Sequence, residues 1–398
     1  MGQWLLGWAK KEIVLIVATL LAIVSCFIVP FDAQYATYIH WTTLAQLLSL
    51  MIVVAALQRI GVFHVIASQL LKTATTSRMV IFILVCLPFF SAMLVTNDVA
   101  LVTFVPFAIS VLIMADKEEW APLVVTLMTL GANMGSMLTP IGNAHNLYLK
   151  ALTGISSWDM IKIMAPYSAV AFALLALCIW IGFNGNKMKA VADENDLERS
   201  VFAPSPTTEK PDEIRIMNFG GGYTGWRTWV YLALFIVCLL GVGDIIPLWL
   251  MLAIVVVVML FCDIRVFRTI DWGLPLTFMM FFIFIGNMKR VPEFYSLAAQ
   301  FVQYDPLDVS VVTSQFISNV PATLLLSGFS HQWTELIIGT NLGGMGTLIA
   351  SMASLVSYRN IVAKFPHKKG RYLAIYTGLN ILFLVVLLPL AHVITSLS

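Results

Sequence analysis

Apolar runs of 17 or more residues recur along this chain, and two further apolar stretches carry polar residues at their middle. About 20 residues of helix cross a bilayer's hydrocarbon core, where lipid offers no partner to a bare backbone N–H or C=O. The pattern therefore dictates an all-α membrane protein. Runs of crossing length lie at 11–30, 40–59, 122–152, 161–183, 228–244, 245–263, 272–289, 334–357 and 372–396, about nine full spans. Composition agrees. Of 398 residues, 60% are apolar and 11% charged, against about 25% charged in a soluble domain, and the mean hydropathy is +0.90. The run at 11–30 exceeds a signal-peptide core and is followed at once by others, so it reads as a retained first helix. Cys26, Cys86, Cys178, Cys238 and Cys262 stand singly inside apolar runs, with neither CxxC spacing nor a Cys/His cluster. Disulfide and zinc chemistry are not expected, nor is nucleic-acid binding, because the basic residues sit in loops.

The two interrupted stretches, 79–115 and 307–330, are each too long for one span. Thr96-Asn97-Asp98 falls in the middle of the first and Ser318-Asn319 in the middle of the second. An Asn-Asp pair at that depth must face protein or water rather than lipid. Two short helices meeting at a tip achieve this, so both stretches read as re-entrant hairpins that enter and leave by one face. With the hairpins so drawn, 19 of the 23 Lys and Arg residues fall on the cytoplasmic side, leaving Lys150, Lys162, Lys289 and Arg290 outside. A single crossing at 79–115 would invert everything after it and destroy this positive-inside bias. The N-terminus is thus expected in the cytoplasm, and Lys289 and Arg290 are expected to snorkel to the outer interface.

An internal repeat organises the rest. GANMGSMLTPIGNAHNL at 131–147 aligns without gaps to GTNLGGMGTLIASMASL at 339–355, with seven of 17 positions identical. Asn97 precedes one copy and Asn319 the other. Each half runs span, span, hairpin, Gly/Asn-broken span, span, and the additional run 228–244 makes the second half enter from the opposite face. The expected organisation is a first inverted repeat over 1–183 (hairpin 79–115, broken helix 122–152), a charged, Pro- and Gly-bearing cytoplasmic linker at 184–227, and an extra span plus second repeat over 228–398 (hairpin 307–330, broken helix 334–357). A broken helix survives in hydrocarbon only where ligand, ion or water satisfies its freed backbone groups. Half-helix N-termini suit anions, and freed carbonyls suit cations.

At these motifs the chain resembles the ion transporter superfamily of arsenite permeases, sodium/proton antiporters, citrate transporters and divalent anion–sodium symporters. The carrying residues are Thr96 to Leu101, Gly131 to Leu147, Ser318 to Pro321 and Gly339 to Leu355. The tips look closest to the arsenite-permease-like anion permeases, and they depart from the Ser-Asn-Thr found at both tips of divalent anion symporters. The resemblance implies a homodimer with a scaffold and a mobile transport domain working by an elevator movement. It also implies that tips and breaks bind substrate and coupling ion.

On the residues, Thr96, Asn97, Thr139, Asn143, Ser318, Asn319 and Thr347 are the substrate-binding candidates. Asp98, Asn133, Gly135, Asn341, Gly343 and Ser351 are the coupling-ion candidates. Asp98 is the one acidic residue inside an apolar stretch, suited to carry a proton or to ligate a cation, and a carboxylate repels an anion. Its counterpart at the second tip is Val320. His145 reads as a hydrogen-bonded filler of a polar break. The expected function is ion-coupled transport of a small oxyanion or carboxylate across a bacterial inner membrane, with Na⁺ or H⁺ as coupling ion. The alternative is a cation/proton antiporter of the same fold. No HExxH, GxSxG or paired intramembrane carboxylates occur, so no catalytic residue, cofactor or other metal is expected.

Overall fold

The computed structural model describes residues 12–185 and 225–397, and every regular element among them is a helix. The linker expected at 184–227 lies almost wholly outside the described residues. The first half contains α1 (Ile13–Ile28), the single turn α2 (Tyr35–Tyr38), α3 (Trp41–Arg59), α4 (Val62–Leu71), the hairpin arms α5 (Ser77–Ser91) and α6 (Asn97–Met114), the broken pair α7 (Ala121–Ser136) and α8 (Ala144–Thr153), and α9 (Ser157–Gly182). After α10 (Trp226–Val242) the order recurs. It runs α11 (Leu248–Cys262), α12 (Gly273–Met288), α13 (Pro292–Tyr304), the arms α14 (Pro306–Ile317) and α15 (Asn319–Leu326), the broken pair α16 (Trp333–Leu342) and α17 (Met352–Lys364), and α18 (Lys369–Leu397).

Two helices escape the hydropathy reading. α4 and α13 follow the second span of each half, at 10 and 13 residues, too short to cross a bilayer. The axis of α13 turns 108° from α12, and Leu297, Phe301 and Tyr304 stay exposed along it. Their amphipathic spacing is legible in the sequence, but their shortness hid them from a search for spans.

By length alone α6 could cross a membrane, since 18 residues of helix rise about 27 Å. Its first residue is tied to a helix break. The Asn97 N–H, at the first residue of α6, donates to the Gly142 carbonyl in the α7–α8 break at 3.2 Å.

α7 is the centre of the packing. Fifteen of its 16 residues are buried, and it is enclosed by α5, α6, α9, α17 and α18. Close approach is built into the sequence: Gly131 lies under the Val85 carbonyl of α5, and Gly339 of α16 lies under the Leu307 carbonyl of α14. A methyl group at Gly339 would come to 2.5 Å from that oxygen.

A second group of helices exchanges partners. α1 packs on α12, and α10 and α11 pack on α3, so each half's first span lies on the other half's second. An ion pair closes each exchange. Arg59 at the end of α3 meets Asp263 after α11 at 3.1 Å, and Arg290 after α12 meets Asp32 after α1 at 2.7 Å. The residues of the two pairs are related by one spacing, 231 positions. Arg290 also donates to the Tyr38 hydroxyl at 3.0 Å. Asp32 and Tyr38, distant in sequence, thus reach Arg290 at this helix end.

Candidate transport site

The two hairpin tips and the two helix breaks meet, and they meet by matching contacts. At the first junction the Asn97 N–H donates to the Gly142 carbonyl; at the second the Asn319 N–H donates to the Ala350 carbonyl at 2.9 Å. Gly142 and Ala350 are aligned positions of the 17-residue internal match. The threonines repeat the pattern. Thr139 Oγ1 donates to the Met93 carbonyl and accepts from the Gly142 N–H at 3.1 Å. Thr347 Oγ1 donates to the Gln315 carbonyl at 3.0 Å and accepts from the Ala350 N–H at 3.2 Å. Both hydroxyls are thus engaged in tying a break to a tip.

Four half-helices start at this crossing: α6, α8, α15 and α17. In none does the side chain of the N-cap residue bond a backbone N–H, although at α6 the Asn97 side chain takes the Asp98 N–H. Side-chain caps are made at α5 by Thr76, at α9 by Ser156 and at α14 by Asp305, and most other helices lack one, α7 and α16 included; what sets these four apart is that they start at one place. Each helix N-terminus carries about half a positive charge on its unpaired N–H groups. Four of them offer up to about two positive charges without a basic side chain, and none of the polar residues gathered here is Lys or Arg. The second tip is a one-residue turn in which Ser318 holds φ 73°, ψ 152°, a conformation that costs a non-glycine residue roughly 1–3 kcal/mol.

The asparagines bridge the two halves. Asn133 Oδ1 accepts from Asn97 Nδ2 at 3.0 Å and from Ser351 Oγ at 3.3 Å, and Asn133 Nδ2 reaches the Gly344 carbonyl at 3.4 Å. Asn341 Nδ2 donates to Asn146 Oδ1 at 2.7 Å and to the Ile337 carbonyl at 2.8 Å. Asn97, Asn133, Asn143, Asn319, Asn341, Ser318 and Ser351 are all buried. Gly135 packs against the backbone of Phe89, and Gly343 against Ser314. Asp98 is half-buried, with its N–H bonded to Asn97 Oδ1 at 3.0 Å. No described Lys, Arg or His forms an ion pair with its carboxylate. Beside the first tip lies a pocket that α3 walls with Leu47, Leu50, Met51 and Val54, while Thr96 and Asn143 face it from the other side.

A sequence profile described as citrate transporter matches residues 2–332. The chain belongs to the citrate transporter family. Among relatives, an uncharacterized transporter of Methanocaldococcus jannaschii is 27% identical over 360 residues, covering 89% of this chain and 90% of that protein. The inner membrane protein YbiR of Escherichia coli is 28% identical over 340 residues, 84% of this chain and 83% of its own. A Dictyostelium discoideum protein bearing the name arsB is 23% identical over 180 residues, 45% of this chain and 31% of its own. These findings agree with the ion transporter superfamily seen in the motifs.

Within this citrate transporter family chain, His145, in the first turn of α8, is fully buried beside the Asn341 side chain. Asn146, which carries the bond to Asn341, was not singled out at all; an Asn one turn into a helix gives no signal without its tertiary partner.

Proposed function

We propose that this transporter carries a small oxygenated anion across a bacterial inner membrane, coupled to Na⁺ or H⁺, with the crossing of tips and breaks as its binding site. The observation that carries the reading is the set of four uncapped half-helix N-termini beside asparagine and serine side chains. That is a field suited to an anion, with carbonyl and amide oxygens left for a cation. Thr96, Asn97, Asn143, Ser318 and Asn319 contact the substrate. Thr139 and Thr347 hold the site closed through the backbone. Asp98, Asn133, Asn341 and Ser351, with the close packing at Gly135 and Gly343, serve the coupling ion. The halves 1–183 and 228–398 insert with opposite topology, joined by the cytoplasmic linker 184–227. The exchanged helices α1, α3, α11 and α12 form the scaffold of a homodimer past which the hairpins and broken helices move as an elevator. The inner-membrane location follows the name of the Escherichia coli relative.

Unpaired Asp98 favours one second reading, a cation/proton antiporter of the same fold. A melting-temperature screen of the purified protein separates the two. Citrate, dicarboxylates, sulfate and arsenite would be compared in Na⁺ and in K⁺ at two pH values. At least one anion should raise the melting point, and more so with Na⁺ or at lower pH. A shift with Na⁺ alone, and with no anion, sinks the anion reading in favour of the antiporter.

A further inference from the structure

A broken helix ends its first half in carbonyl groups that have lost their helical partners. In the second half of the chain one side chain takes them up. Gln315, in the last turn of α14, donates from Nε2 to the Gly343 carbonyl at 3.1 Å and to the Met345 carbonyl at 2.8 Å, with the Val311 carbonyl of its own helix also at 3.1 Å. Its Oε1 accepts from the Thr347 N–H at 2.9 Å. Asn380 of α18 completes the set, its Oδ1 accepting from the Gly346 N–H at 3.3 Å. Gly346 makes the room: it holds φ 109°, and a methyl group there would come to 2.2 Å from Gln315 Oε1.

The first break is built otherwise. Four residues before the tip asparagine, where the second hairpin has Gln315, the first has Met93, and Leu138 aligns with Gly346. A thioether has no proton to give a carbonyl. The Leu138 N–H turns back to the Gly135 carbonyl at 3.1 Å, and Asn146 Nδ2 reaches the Ser136 and Thr139 carbonyls at 3.5 and 3.4 Å. The carbonyl of buried Met137, aligned with that of Met345, accepts no hydrogen bond from any described residue. Such a group costs free energy until something meets it, and the carbonyl end of a half-helix suits a cation. In the second half the positive end of the Gln315 amide dipole meets those same groups. We propose that Gln315 is the built-in occupant of the second break, so that this half takes no cation there and the seat for Na⁺ lies in the first break alone. This rests on the ion-coupled reading above and narrows its ion, because a backbone carbonyl ligates a metal ion and carries no proton. Asn341 and Ser351 reach across to Asn146 and Asn133 of the first half, so they serve that one seat.

Hydrogen–deuterium exchange of the purified full-length protein tests this, read over 135–142 and 343–350 in KCl and in NaCl. In wild type, NaCl should slow the first segment by about tenfold or more, the worth of one buried hydrogen bond, and leave the second unchanged. Gln315→Met copies the residue of the first half. It should speed the second segment by about tenfold or more in KCl and give it a Na⁺ response, while 135–142 stays as in wild type, which separates the effect from general unfolding. A glutamine that only braces the fold would speed the segment without making it answer to Na⁺. Slowing of the second segment by NaCl in wild type overturns the proposal, as does exchange at 343–350 in Gln315→Met that is unchanged or ignores NaCl. The wild-type comparison decides alone if that variant does not fold. A first segment indifferent to NaCl overturns the Na⁺ seat and leaves the transport reading with H⁺ at Asp98, which the anion screen judges separately.

Discussion

Asn97 and Asn319 occupy matching positions in sequence, yet their side chains are differently placed. Asn97 Nδ2 is bonded to Asn133, whereas no described residue meets the Asn319 amide. Asn97→Ala should therefore cost stability as well as transport, by about 1–3 kcal/mol for the lost buried bond. Asn319→Ala should leave the melting point near wild type and still abolish uptake into proteoliposomes. Normal uptake by both variants would move the site elsewhere. Asp98 adds a separate prediction. Asp98→Asn keeps size and hydrogen bonding but removes the charge, so it should erase the pH or Na⁺ dependence of transport. Val320 at the matching position makes the switch single. Transport by the Asn variant with an unchanged pH profile and unchanged Na⁺ activation would make Asp98 structural. The sequence exposed Asn97, Asp98 and Asn319 because polar residues inside an apolar run are conspicuous. It could not show that one tip amide is paired and the other is not, since the partner lies 36 residues away in one case and no described side chain supplies one in the other.

Hairpins and broken helices are held to one another by few bonds, and those bonds are between elements. Thr139 and Thr347 each tie a break to a tip with one donated and one accepted hydrogen bond. Thr139→Val should strand the Met93 carbonyl, lowering stability by about 1–3 kcal/mol, and Thr347→Val should strand the Gln315 carbonyl at the other junction. Thermal unfolding checks both, with Ser136→Ala as a neighbouring control that removes only a bond within α7. Unchanged melting in the two valine variants would contradict the assigned geometry. The four discontinuities were legible because Gly, Asn and Pro have no reason to cluster in a lipid-facing helix. α4 and α13 were not, because at 10 and 13 residues they are too short to register as spans.

The whole molecule is two similar halves that exchange their first helices, and the exchange is sealed by Arg59–Asp263 and Arg290–Asp32. Hydropathy and the 17-residue match gave the order of elements, since both are properties of single segments. The exchange is a property of tertiary packing, and nothing local at Asp32 or Asp263 announces it. The shared site requires the halves to enter the membrane from opposite faces, which would put α4 at the cytoplasm and α13 outside. That can be measured in intact cells with a membrane-impermeant maleimide, on a background with the five native cysteines replaced. Gln303→Cys, before the second hairpin, should label without permeabilisation, and Thr75→Cys, before the first, should label only after it. Labelling of both sites from the same side would contradict the inverted arrangement and with it the shared site.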